Sequence, residues 1–200
     1  MDKIKAFVRD NWDGILKPTV VLFAICLVIA LALASANLVT LPKIAQLEAE
    51  NLNQTMEKVI TADKYTENTV KYSGESVKYY TAEKDGKAAG YIFTFSEKGY
   101  GGDVNVMTAI GTDGKIIAVE ILDASNETPG LGQNVTKEDF YSQYKDKNGT
   151  VTVVKNGADA ANGEIDAVTG ATISSKAVTR AVNRAVDVYS HISDKGGAEK

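Results

Sequence analysis

The residues best suited to chemistry lie together in a segment of small and hydroxyl-bearing side chains, residues 166–175, DAVTGATISS. Gly170 predicts a turn that leads into a helix, and Thr172 and Ser174 stand where that helix would begin. The start of a helix carries partial positive charge and unsatisfied N–H groups, which suit a phosphate. The same residues also suit an ordinary N-cap, so the segment alone leaves phosphate binding and capping both open.

Two glycine-rich segments precede it in the chain. Residues 127–132, ETPGLG, contain a proline and two glycines that fix a loop, and their Glu and Thr supply polar groups. Residues 99–103, GYGGD, come just before an apolar run that begins at Val104. Each segment predicts either a plain turn between strands or a loop whose backbone approaches a ligand closely.

Composition argues against several other kinds of site. The chain has 200 residues with 22 Lys and Arg against 26 Asp and Glu, and a net charge of -4, so we expect no nucleic-acid partner. The single cysteine, Cys26, lies in an apolar run, and the single histidine, His191, has no partner motif. We therefore predict no metal site and no catalytic residue of the Cys or His type.

The three segments, in this order, resemble those of a known family. Residues 166–172, with the pattern D-x-x-T-G-A-T, are similar to the flavinylation motif of an FMN-binding domain. That domain occurs in the G subunit of Rnf complexes and in the C subunit of sodium-pumping NADH:quinone oxidoreductase. The ETPGLG and GYGG segments are also typical of this family. The length of 200 residues fits the Rnf subunit better than the longer sodium-pump subunit.

The resemblance implies a covalent cofactor, FMN, joined through its phosphate to Thr172. It also implies that a separate flavin transferase installs the group from FAD, and that Asp166 is part of what the transferase recognises. We predict a cofactor-binding set formed by residues of all three segments: Thr172, Asp166, Thr169, Gly170, Ala171, Ser174, Ser175, Glu127, Thr128, Gly130, Leu131, Tyr100 and Gly101.

The function implied is that of an electron-transfer subunit in a membrane-bound, ion-translocating redox complex of the Rnf type, rather than of an enzyme that acts alone. The expected partners are the other membrane subunits, the flavin transferase during maturation, and membrane lipid. Three alternatives remain: the C subunit of a sodium-pumping NADH:quinone oxidoreductase, a free-standing FMN-binding reductase, and a non-redox membrane-anchored binding domain.

Near the N-terminus, residues 19–41 are uncharged and long enough, as a helix, to cross about 30 Å of hydrocarbon. A cleaved signal peptide is the alternative, because residues 34–36, ASA, resemble a cleavage site. Lys43 is the only basic residue that follows the stretch closely, whereas four precede it: Lys3, Lys5, Arg9 and Lys17. This asymmetry predicts a single-pass protein of the cell (inner) membrane, with a cytoplasmic N-terminus and an extracytoplasmic C-terminal domain.

We expect an α+β fold, with a twisted, mainly antiparallel sheet packed by helices. The predicted organisation has five parts: a cytoplasmic N-terminus at 1–18, a transmembrane helix at 19–41, a stalk or packing helix at 42–70, an FMN-binding domain at 71–193 and a flexible tail at 194–200. Pro42 is expected to begin the stalk helix.

Within the domain, Asp85-Gly86 and Asp113-Gly114 predict two hairpins among strands in the interval 76–123. Alternation places Ile116 and Val119 on opposite faces of their strand. Further along, the pattern predicts a short helix at 138–145 with Thr136 as N-cap, a strand at 151–154 and a helix at 173–192 with an apolar stripe.

Overall fold

The structure is a computed structural model that describes residues 17–197. The predicted cytoplasmic segment before residue 17 and the last three residues of the predicted tail lie outside the described residues. The chain divides into two compact units, residues 1–52 and 53–200.

The first unit is formed, where it is described, by one helix. Helix α1 runs from Lys17 to Val59 and passes into the second unit. Its portion Lys17–Leu38 has a mean hydropathy of 2.8 over its most apolar window, none of which is buried, and is long and apolar enough to cross a membrane. The hydroxyls of Ser35 and Thr40 donate to the carbonyls of Leu31 and Ala36, which satisfies both polar groups within the helix.

The prediction that a new helix begins at Pro42 is wrong, because α1 continues through this residue. A proline inside a helix removes one backbone hydrogen bond. Here the residues before Pro42, rich in Ala and Leu, and those after it, rich in Ala, Leu, Gln and Glu, favour the helix strongly enough to continue it.

The second unit is built on a five-stranded antiparallel sheet whose strands follow one another in chain order. The strands are β1 Lys64–Tyr72, β2 Glu75–Lys84, β3 Lys87–Lys98, β4 Asp103–Gly111 and β5 Ile116–Asp123. A short helix α2, Glu138–Tyr141, follows, and then strands β6 Thr152–Val154 and β7 Glu164–Asp166, which pair in parallel. Helix α3, Thr172–Gly197, ends the described chain. The predicted α+β fold is confirmed.

Tight turns join the first three strands. Asp85 and Gly86 both have positive φ, 51° and 72°, as a type I′ hairpin turn requires, so the predicted hairpin is confirmed. Ser73 and Gly74, with φ of 50° and 86°, form the same kind of turn between β1 and β2. Most of strand β1 lies in the interval 42–70 predicted as a stalk, and the sheet therefore begins before residue 71. Its sequence, KYTENTVKY, is polar and only half-buried, so it lacks the apolar alternation that predicts a strand.

Helix α3 covers one face of the sheet with the predicted apolar stripe, in which Ala177, Ala181, Ala185 and Val188 are fully buried or nearly so. The opposite face is also buried, at Ile92, Met107 and Ala109. The end of α1 and the residue after it pack there: Met56 and Ile60 are buried, and a Cβ added at Gly90 of β3 would lie 2.9 Å from Cδ1 of Ile60. The sheet is thus covered by α3 on one face and contacted by the residues at the end of α1 on the other.

Three local predictions differ from the structure. Ile116 and Val119 lie in the same core, because the β4–β5 register shifts between Ala109 and Ile110 and breaks the alternation. The predicted helix at 138–145 consists of α2 and a separate 3₁₀ turn, Ser142–Tyr144. Lys137, not Thr136, is the N-cap of α2.

The hydroxyl of Thr136 is used elsewhere, since it donates to the carbonyl of Gln133. At the other end of the domain, α3 extends to Gly197. The first residues of the predicted flexible tail are therefore helical.

Candidate functional site

A cavity of about 670 Å³ opens where the three chemistry-bearing segments meet. Its volume falls within the range of about 300–1,000 Å³ typical of small-molecule sites. The lining comes from the glycine loop after β3, the loop after β5 and the start of α3: Tyr100, Glu127, Thr128, Leu131, Gly132, Gly170, Ala171, Thr172, Ile173 and Ser174.

The rim of the cavity is apolar and exposed. Tyr100, Leu131 and Ile173 are 71%, 46% and 52% exposed, although the second unit buries most of its large apolar side chains. Among the described residues of that unit, the only other exposed large hydrophobic is Leu122. Such a concentration of exposed apolar surface around one concavity marks a binding site for an apolar group.

The first turn of α3 forms one wall of the cavity. Gly170, with φ of 76°, makes the turn from β7 into this helix. The first intrahelical hydrogen bond runs from the N–H of Ser175 to the carbonyl of Ala171. The N–H groups of Thr172, Ile173 and Ser174 precede it and have no acceptor within the helix, which is the arrangement that attracts a phosphate.

Of the four hydroxyls in this segment, two are engaged within the protein. Ser174 is 1% exposed and donates to Oε2 of Glu127 at 2.7 Å. Ser175 is fully buried, and its Oγ donates to the carbonyl of Ala171 and accepts from the N–H of Val168.

The other two hydroxyls lie on different cavities. Thr172 is half-buried in the wall of the large cavity, and its hydroxyl has no hydrogen-bond partner within residues 17–197. Thr169 lies on a second cavity of about 380 Å³, together with Asp166. Thr172 therefore has the one unengaged hydroxyl that this segment presents to the large cavity.

Glu127 joins the three segments. Its side chain is 2% exposed, and its Oε1 accepts from the N–H groups of Tyr100 and Gly101 at 2.7 and 3.1 Å. With the bond from Ser174, its carboxylate thus ties the glycine loop to the first turn of α3. Glycine is required on both sides: a Cβ at Gly99 would collide with Oε1, and one at Gly132 would collide with Oε2.

Asp166 does not line the large cavity; its polar groups form hydrogen bonds with Ala158 and Gln143. Its Oδ1 accepts from the N–H of Ala158. Its own N–H donates to Oε1 of Gln143 at 2.8 Å, and its carbonyl accepts from Nε2 of the same side chain at 3.3 Å. Gln143 therefore holds the strand that leads into Thr169 and Thr172, a role for which the sequence around it gave no signal.

A buried chain of hydrogen bonds links Tyr144 to the first turns of α3. The hydroxyl of Tyr144 lies 2.7 Å from Oγ1 of Thr179, and Thr179 donates to the carbonyl of Ser175. Because that donation uses the only proton of Thr179, Tyr144 is the donor in the first bond. Tyr144 is fully buried, and desolvation raises the pKa of its phenol well above the ordinary value.

The structure therefore brings together most of the predicted site residues on the large cavity: Tyr100, Glu127, Thr128, Leu131, Gly170, Ala171, Thr172 and Ser174. Gly101, Gly130 and Ser175 support its walls, through Glu127, Asn134 and Val168 respectively. Ile173 and Gly132 line the cavity but were not predicted. Gly132 could have been predicted from its place in ETPGLG, and Ile173 from its apolar side chain next to Thr172.

Comparison with known proteins identifies the family. Residues 99–187 match the family model described as FMN-binding domain. The chain is 39% identical to the G subunit of the proton-translocating ferredoxin:NAD(+) oxidoreductase complex of Clostridium ljungdahlii, over 81% of this chain and 84% of that protein. It is 34% identical to the G subunit of the Na(+)-translocating complex of Acetobacterium woodii, over 94% of this chain and 98% of that protein.

Solved structures agree. The NqrC crystal structure from Shewanella oneidensis matches with a TM-score of 0.50 and 26% identity, over 59% of this chain and 62% of that one. The C subunit of the Na(+)-translocating NADH-quinone reductase from Parabacteroides distasonis gives the same score and identity, over 57% and 61%. Each match spans less than two thirds of the solved chain. With the relatives of higher identity, these findings confirm the predicted resemblance: the chain belongs to the G-subunit family of ion-translocating oxidoreductase (Rnf) complexes.

Proposed function

We propose that this chain carries FMN as a phosphoester on Thr172 and that this flavin performs its electron transfer. The role of electron-transfer subunit in an ion-translocating oxidoreductase complex follows from the family and from the FMN-binding domain. When bound, FMN supplies the capacity to accept and release one or two electrons, and the protein supplies position and electrostatics.

The main support for the proposal is that the Thr172 hydroxyl is not engaged within the protein. It lies on the wall of the cavity at the start of α3 and has no hydrogen-bond partner among the described residues, whereas Ser174 and Ser175 are buried and engaged. The N–H groups of the same helical turn are available to a phosphate attached there. A linkage through the phosphate leaves the flavin ring unmodified.

The apolar rim of the cavity suits the flavin ring of the cofactor. The exposed side chains of Tyr100, Leu131 and Ile173 would cover the apolar flavin ring, and the loop after β5 contributes the polar side chain of Thr128. Burial of the ring would also remove these three side chains from water, at about 25 cal/mol per Å² of apolar surface.

We further propose the arrangement in the membrane. The apolar helix and the membrane complexes of the relatives support membrane association. The basic residues before the span favour a single pass in the cell membrane with the N-terminus in the cytoplasm and the FMN-binding domain outside. The partners are then the other subunits of the complex, membrane lipid and, during maturation, a flavin transferase that recognises the segment containing Asp166.

The C subunit of a Na(+)-translocating NADH-quinone reductase is the second candidate, because the solved neighbours include such a protein. The G-subunit relative from Clostridium ljungdahlii is 39% identical over 81% of the chain, against 26% over 57% for that neighbour. These figures favour assignment to the Rnf complex.

The linkage is tested by producing the full chain together with a flavin transferase and examining the denatured protein. Wild type should fluoresce in a denaturing gel and should carry the added mass of one FMN moiety on the peptide that contains Thr172. Thr172→Ala should lose both signals, and the control Thr169→Ala should keep them, because Thr169 lies on the other cavity. Covalent flavin that persists in Thr172→Ala would contradict the assignment.

A further inference from the structure

The environment of Glu127 points to a role beyond shaping the cavity. Glu127 lines the cavity and is 2% exposed. All three of its donors, two backbone N–H groups and the Ser174 hydroxyl, are neutral. Among the ion pairs of the described residues, none involves Glu127. As a carboxylate, Glu127 would place a negative charge beside the cavity that no cation among the described residues pairs with.

Both oxygens of this carboxyl group are held by hydrogen bonds from fixed donors. Oε1 accepts from the N–H groups of Tyr100 and Gly101, and Oε2 accepts from Ser174, so both oxygens act as acceptors. The three donors come from two different parts of the chain, the glycine loop and the first turn of α3, and together they fix the orientation of the carboxylate.

The position of the charge is fixed by the backbone around it. Gly99 and Gly132 flank the two carboxylate oxygens so closely that a Cβ at either position would collide with them. Ser174 is adjacent in the helix to Ile173 and two residues from Thr172, the residue proposed to carry the flavin. With three hydrogen bonds and this close packing, the carboxylate has a defined place beside any group held in the cavity.

We propose that the buried negative charge of Glu127 lowers the reduction potential of the FMN held in this cavity. The inference rests on the proposed attachment of FMN at Thr172. One-electron reduction of a bound FMN without uptake of a proton would add a negative charge to it. A carboxylate held in the wall of the same cavity would oppose that added charge and so favour the oxidised flavin.

The substitution Glu127→Gln separates charge from position. Glutamine has the same shape: its amide oxygen can accept from Tyr100 and Gly101, and its amide nitrogen can donate to the oxygen of Ser174. The variant should therefore carry covalent FMN as wild type does, while its midpoint potential rises. The matched control is Glu138→Gln, which removes one carboxylate at an exposed position outside the cavity and should leave the potential unchanged.

The measurement is spectroelectrochemical titration of the full chain in detergent, after production with a flavin transferase. An equal or lower potential in Glu127→Gln overturns the inference. Where Glu127→Gln loads FMN, Glu127→Asp, which keeps the charge, should have a lower potential than Glu127→Gln. If Glu127→Gln does not load FMN, Glu127 has a structural role in holding the cofactor, and the inference is overturned. Wild-type protein without covalent FMN would instead refute the proposed function.

Discussion

The hydroxyl of Ser174 donates a hydrogen bond of 2.7 Å to the carboxylate of Glu127, which lies 47 positions earlier in the chain. Both groups are buried, so this bond is shielded from water. It closes the cavity between the loop after β5 and the first turn of α3. The two segments that the sequence offers as separate motifs are thus parts of one hydrogen-bonded unit.

Gly132→Ala should disrupt this unit. Its new Cβ would collide with Oε2 of Glu127 and lie 2.9 Å from Oγ of Ser174, and overpacking of this kind costs about 1–3 kcal/mol. We expect reduced covalent FMN, measured as flavin absorbance per mole of denatured protein. The control Gly130→Ala introduces a Cβ with no atom within 4 Å, and only its positive φ opposes the change. Equal loading in the two variants would contradict the packing argument.

Gln143→Met should loosen the strand that leads into the motif. The change keeps the length of the side chain but removes both hydrogen bonds to the backbone of Asp166, leaving an N–H and a carbonyl unsatisfied. The expected loss is about 1–3 kcal/mol in the free energy of unfolding. Urea denaturation of the full chain in detergent, followed by near-ultraviolet circular dichroism, measures it. Gln54→Met, at an exposed position of α1, is the control. An equal loss of stability in this variant would argue against the role of Gln143 in holding the backbone of Asp166.

The sequence predicts those features that depend on local chemistry. Asp85-Gly86 specifies a turn with two positive φ values whatever the rest of the chain does, and the predicted hairpin is found there. The apolar stripe of α3, with Ala177 and Ala181 at its centre, likewise follows from helical period alone. The three motifs, in their order along the chain, were enough to predict most of the residues that line the cavity.

Features that depend on partners distant in the chain were not predictable. Strand β1 is polar and exists because it pairs with β2, so its own residues predict no strand. The carboxylate of Glu127 was expected near a ligand, but its bonds to Tyr100 and Ser174 arise only when three loops meet. Asp166 was singled out for recognition by another enzyme, which remains a prediction, while its bonds to Ala158 and Gln143 were not foreseen.

Met56→Ala should destabilise the FMN-binding domain, although Met56 belongs to the helix that also contains the apolar span. The side chain is 1% exposed, and truncation of a buried methionine costs about 2–5 kcal/mol. The matched control is Glu57→Ala at the next, exposed position. Chemical denaturation of the full chain in detergent compares them. A similar midpoint for the two variants would show that the end of α1 contributes nothing to the core.

Tyr144 should make the stability of the domain sensitive to alkali. Desolvation raises the pKa of its phenol in the folded protein above the ordinary value of 10.0, which applies in the unfolded chain. Between these two values the folded state binds more protons than the unfolded state, so the free energy of unfolding is unaffected below about pH 10 and falls as the pH rises further. One such group contributes a slope of up to about 1.4 kcal/mol per pH unit.

Tyr144→Phe should remove this contribution. The variant loses the hydrogen bond to Thr179, at a cost of about 0.5–1.5 kcal/mol near neutral pH, but its stability should fall less steeply above pH 10. Tyr141→Phe serves as the comparison, because Tyr141 is only half-buried and should change the slope less. The measurement is the free energy of unfolding in urea at a series of pH values from 8 to 12. Parallel curves for Tyr144→Phe and wild type would mean that the phenol is not kept neutral by burial, and that water reaches the base of the helix that carries Thr172.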